Sequence, residues 1–142
     1  MVKVNKDNCK KVIEMLKCYN VSKMRINLFN LNIEQSNDKG YIDEQREKIK
    51  YYERFQDNIR KCLKVLNEKE LEFIQLKIFK KKKYYEIIPL INKLYYNDEK
   101  INQKVSIDMT KLCNNGSVIK RVIIIKLLST GILDLYDPKM IW

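Results

Sequence analysis

The chain has 142 residues, carries 29 Lys and Arg against 18 Asp and Glu, and contains no His, giving a formal net charge of +11. At 45% apolar residues it can bury a core, and with 3 Gly and 2 Pro it lacks the turn residues of a sandwich or barrel, so an all-helical fold is expected. The absence of His removes the commonest general base and metal ligand, which argues against most hydrolase and metalloenzyme classes.

The elements follow in order. In residues 7–33, Val12, Ile13, Leu16, Tyr19, Ile26 and Ile33 recur at helical spacing. The polar break at 36–40 is followed by a seven-residue repeat in 41–66. Ile42, Ile49, Gln56 and Leu63 form one line of the seam, and Gln45, Tyr52, Ile59 and Leu66 the other, with charged flanks between. Two such helices predict an antiparallel coiled-coil hairpin that packs on a second copy, making a homo-oligomer, or on the rest of the chain.

Asn67 followed by Glu70 is a capping pair, and it predicts a helix carrying Leu71, Phe73, Ile74, Leu76, Ile78 and Phe79 that ends in a lysine run. A second short helix places Tyr84, Ile87, Ile88, Ile91 and Leu94 on one face, with Pro89 on the other side bending the chain. Asn97 caps a third helix reaching Leu112, with Ile101, Val105, Met109 and Leu112 on its back and Lys100, Lys104 and Lys111 on its front. Asn114, Asn115 and Gly116 read as a helix stop, residues 117–128 as a further helix although their Val and Ile content would also suit a strand, and 134–142 as irregular. Helix, short turn and second helix with a basic outer face is the helix-turn-helix arrangement.

The four cysteines, Cys9, Cys18, Cys62 and Cys113, form no paired spacing and read as small buried apolar residues; no metal and no cofactor is expected. The N-terminus lacks a signal-peptide run, and the most apolar stretch, residues 122–133, is too short to span a bilayer, so a cytoplasmic protein without a membrane partner is expected. The basic excess suggests a polyanion, most often nucleic acid, although all but five of the basic residues are Lys and the charge would also serve solubility.

Residues 66–112 resemble region 4 of sigma-70-type factors and the C-terminal part of ArpU-type phage transcriptional regulators. The likeness lies in Leu66-Asn67-Glu68-Lys69-Glu70, in the apolar run Phe73 to Phe79, in Tyr84-Tyr85-Glu86-Ile87-Ile88, and in Leu94-Tyr95-Tyr96-Asn97 before the expected recognition helix. Departures are Asn67 for the family's Pro, loss of its loop Gly within the lysine run, Ile88 for its Ala, the added Pro89, and a recognition helix without Arg.

The resemblance implies a non-enzymatic regulator of phage or mobile-element origin. It would bind double-stranded promoter DNA and RNA polymerase, and be divided into a hairpin arm (1–66), a helix-turn-helix domain (67–116) and a C-terminal helix and tail (117–142). Expected DNA contacts are Lys80, Lys81, Lys82, Lys83, Lys100, Lys104 and Lys111 to phosphates, with Asn102 and Gln103 at base edges. The alternatives are a helical adaptor with a degenerate helix-turn-helix, and the DNA-recognition subunit of phage packaging. A lysine run is otherwise an ordinary solvated loop. The doublets Tyr51-Tyr52, Tyr84-Tyr85 and Tyr95-Tyr96 would each put one ring in the core and one at its rim.

Overall fold

A computed structural model describes residues 4–96 and 109–140. Among them every regular element is helical: α1 (Lys6–Glu34), α2 (Lys39–Leu63), α3 (Glu68–Phe73), a π-helix (Ile74–Phe79), a 3-10 turn (Tyr84–Glu86), α4 (Ile88–Tyr96), α5 (Met109–Leu128) and two more 3-10 turns (Ile132–Leu135 and Pro138–Met140). No helix among the described residues is long and apolar enough to cross a membrane.

Side-chain caps set the first boundaries. Asn5 accepts from the Asn8 amide at 2.8 Å and starts α1; Asp38 accepts from the Gly40 amide at 3.0 Å and starts α2. The two helices run antiparallel, because partners move up one as they move down the other: Asn32 donates to Gln45, Arg25 to the Tyr52 hydroxyl, and Gln56 to the Ser22 hydroxyl, at 3.1, 3.2 and 2.7 Å. The two glutamines that interrupt the apolar seam are therefore hydrogen-bonded to α1. Paired polar groups inside such a seam fix register, since a slip would strand both partners. Gln45, Tyr52, Ile59 and Leu66 are all buried, so this line of the heptad is used within the chain.

The base of α1 contributes Val12, Met15 and Leu16 to the same core as Phe73 and Ile74 from the next segment, Ile91 from α4, Ile123 and Leu127 from α5, and Ile132 from the tail. Burying each such side chain is worth roughly 1.5–3 kcal/mol. α1 touches α2, the π-helix, α5 and the 3-10 turn at Ile132–Leu135, and so joins the hairpin to the rest of the molecule.

At Asn67 the capping pair forms as the sequence indicates: Glu70 N donates to Asn67 Oδ1 at 2.8 Å, and Asn67 N donates to Glu70 Oε1 at 3.1 Å. The other oxygen of Glu70 accepts from Lys126 Nζ at 2.7 Å, with Glu70 4% exposed. This bond ties the first turn of α3 to the last turn of α5, which carries Lys126 at the negative end of its dipole.

Four expectations are corrected. α5 runs without a stop through Asn114, Asn115 and Gly116, because Asn115 is buried and Gly116 lies against Tyr84; close packing, not helix termination, accounts for the glycine. Pro89 sits in the first turn of α4, where its missing N–H costs no hydrogen bond, and the bend falls before it, at the 3-10 turn. Residues 134–140 hold 3-10 turns instead of irregular chain. Cys113 is exposed and Cys9 only half-buried, whereas Cys18 and Cys62 are buried as expected. Of the tyrosine doublets with both rings described, Tyr52 is buried beside half-buried Tyr51, as expected, whereas Tyr84 is only half-buried beside exposed Tyr85, so neither ring of that doublet lies fully in the core.

The tail is fastened to both helices of the hairpin. Tyr51 donates to Asp137 Oδ2 at 2.8 Å, Lys139 N donates to Asp137 Oδ1 at 3.0 Å, and Lys11 Nζ lies 5.3 Å from the Tyr136 ring centre. The Lys139 amide, then the Tyr51 hydroxyl, hold the Asp137 carboxyl below its ordinary value of 3.8. Burial, then the bond to Asp137, push the Tyr51 phenol above its ordinary value of 10.0.

Two outcomes are expected. Lys126→Met strands the Glu70 carboxylate and should cost about 2 kcal/mol in urea unfolding, and adding Glu70→Gln should restore part of it; additivity within about 0.5 kcal/mol would refute the coupling. For the tail, the depressed Asp137 value contributes stability that is present above the carboxylate range and lost as pH falls through it. The raised Tyr51 value contributes stability that is present below pH 10 and lost as pH climbs past it. Asp137→Asn should therefore flatten the acid limb of stability against pH and bring one late phenolate absorbance step down toward pH 10. An unchanged phenol titration would exclude the contact.

Candidate nucleic-acid interface

Nine DNA-contact residues are expected from the sequence. Lys100, Asn102, Gln103 and Lys104 lie outside the described residues, and of Lys111 only the backbone, at the start of α5, is described. The remaining four, Lys80, Lys81, Lys82 and Lys83, form one exposed turn between the π-helix and the 3-10 turn that precedes α4.

The local backbone explains that turn. The π-helix closes with Lys80 N donating to Gln75 O at 3.0 Å and Lys82 N to Leu76 O at 2.9 Å. Between them Lys81 adopts φ +54°, the only positive φ of a non-glycine residue among those described. A left-handed backbone at a side-chain-bearing residue costs roughly 1–2 kcal/mol, which is why helix ends of this kind favour Gly. Lys77 supports the turn from below: its ammonium donates to Lys82 O at 3.1 Å and lies 4.1 Å from the Tyr84 ring centre. Lys82 pairs with Glu86 at 3.6 Å, while Lys80, Lys81 and Lys83 have no carboxylate partner among the described residues.

Tyr84 connects the turn to a second basic region that sequence reasoning missed. A groove of about 550 Å³ runs between α1 and α5, lined by Tyr84, by Lys6, Lys10 and Lys17 of α1, and by Lys120 and Arg121 of α5. Helical periodicity could have revealed the α1 stripe, since positions 6, 10 and 17 fall within about 40° of one another at 100° per residue. Nothing in the sequence marks which helix faces it.

A Cβ built on Gly116 would lie 2.5 Å from two atoms of the Tyr84 ring. The glycine therefore lets the ring close onto α5, and through Lys77 the ring carries the lysine turn with it. The interface is otherwise a surface of cations. It offers charge for phosphate binding, and among the described residues no group of three His, Cys, Asp or Glu is placed to hold a metal. Comparison with known protein families, curated proteins and solved structures finds no match to this chain.

Alanine is ordinarily favoured over glycine within a helix by roughly 1 kcal/mol. Gly116→Ala should instead destabilise the protein, and the sign should reverse in a Tyr84→Ala background, as read by thermal melts of the four variants. A stabilising Gly116→Ala in the otherwise unchanged chain would show that Tyr84 does not need the space.

Proposed function

We propose that the chain is a duplex-DNA-binding transcription regulator, of the phage or mobile-element kind that residues 66–112 resemble, acting at promoter DNA together with RNA polymerase. It binds and does not catalyse. In this reading the trio of α3 with its π-helix, α4, and the segment leading into α5 is a helix-turn-helix of the sigma region 4 type. The expected recognition helix, in residues 97–112, falls outside the described residues up to position 108. The hairpin of α1 and α2 buttresses it.

The observation that carries the reading is Lys81. Glycine would fit its left-handed backbone without strain, yet the chain keeps a lysine there, between Lys80 and Lys82, in an exposed turn where three cations have no carboxylate partner among the described residues. Strain retained at a surface charge points to a role for the charge. Phosphate backbones are bound by such cations, with release of counterions.

One observation favours a second reading, a protein-interaction module. Val118, Val122 and Ile125 form an exposed stripe on α5, and exposed Leu71 and Tyr95 lie on the neighbouring helices. Exposed apolar stripes are used in protein contacts.

Lys81→Gly separates the readings, because its effects on stability and binding have opposite signs. The variant should be more stable by about 1 kcal/mol. Its duplex DNA affinity should fall, and the slope of log affinity against log salt should become shallower by roughly 0.9. No salt-sensitive binding of the unaltered chain to duplex DNA would favour the interaction module instead.

A further inference from the structure

We propose that the groove between α1 and α5 is a second phosphate-binding track, holding the backbone of the same duplex beside the lysine turn. The first half of α1 is then part of the DNA-binding face. The inference rests on the DNA-binding reading and adds to it an element outside the region of resemblance.

Lys6, Lys10 and Lys17 make one stripe on α1 that spans about 16 Å at 1.5 Å per residue. Lys120 and Arg121 face it from α5, across a floor that includes Ile13 and Ile124. Glu14 is the one carboxylate in the lining. None of the five cations forms an ion pair among the described residues; the nearest pair on α1, Lys11 with Asp7 at 3.3 Å, involves neither the stripe nor the groove lining.

Burial, then the charges of Lys77 and Lys17, hold the Lys120 ammonium below the ordinary lysine value. Like charges gathered on a half-buried wall raise the energy of the folded chain, and a bound anion relieves that repulsion. Because Lys77 also supports the lysine turn through Lys82 O and the Tyr84 ring, the two basic regions are continuous.

The shape selects a chain of phosphates over a single one. Charges along one DNA strand recur every 3.4 Å of the duplex axis, so a stripe of about 16 Å meets several of them. Stacking of bases from a single strand is not offered, because the Tyr84 ring is engaged by Lys77 and Gly116.

The test removes three exposed cations at a time from the full chain and measures fluorescence anisotropy of a labelled duplex over a salt series. One variant is Lys10→Gln, Lys17→Gln, Arg121→Gln. Another, at the lysine turn, is Lys80→Gln, Lys81→Gln, Lys83→Gln. A control of equal charge at other faces of the hairpin is Lys23→Gln, Lys39→Gln, Lys50→Gln.

The groove variant should make the salt slope shallower by roughly 0.9 for each phosphate it no longer neutralises, and the control should leave it alone. A groove variant that matches the control, while the turn variant loses affinity, overturns the groove and leaves DNA binding standing. If the unaltered chain binds no duplex, the DNA reading fails. Inorganic polyphosphate then decides the groove separately: binding abolished in the groove variant supports a phosphate track with another source, and no binding overturns it.

Discussion

The carboxylate of Glu70 does two jobs at a site almost closed to water. One oxygen accepts the Asn67 amide and completes the start of α3; the other accepts the Lys126 ammonium from the far end of α5. Unpaired, a carboxylate so buried would cost several kcal/mol, so the start of α3 and the end of α5 must stay together. Between these fixed points lie the π-helix, the lysine turn and α4, whose positions relative to α5 follow. The close approach of the half-buried Tyr84 ring to Gly116 then brings the turn against the middle of the same helix.

Much of the helical organisation was legible because local signals and burial agree. The Asn67 and Glu70 cap and the break before α2 read from residue type, and the line Gln45, Tyr52, Ile59, Leu66 from spacing, since one-faced burial imposes the helical period directly. The two seam glutamines interrupt otherwise apolar or aromatic lines. They are partners of Ser22 and Asn32, which a single-helix pattern cannot show because the pairing belongs to two helices at once.

Asn114, Asn115 and Gly116 carry the local chemistry of a helix end, but tertiary packing decides there; Pro89 carries that of a helix break, but its position in the first turn decides. Gly116 is small where a ring must approach, and Pro89 falls in a first turn where no donor is required. Of the candidate interface, the exposed lysine turn was legible as a run of charge. The groove was not, because it is assembled from residues more than 100 positions apart, Lys6 and Lys120 among them. The same separation explains why α1, read as the start of an arm, shares a core with the tail and a basic wall with α5.

The central claim is that DNA lies along the continuous face where the lysine turn, the first half of α1 and the middle of α5 meet. Amide chemical shifts recorded as a short duplex is added to the labelled protein test it most directly. Perturbations are expected at residues 6–17, 77–86, 97–112 and 117–121, with the hairpin tip at 28–45 unchanged. Perturbations centred on the tip, or confined to the stripe of Val118, Val122 and Ile125, would contradict it.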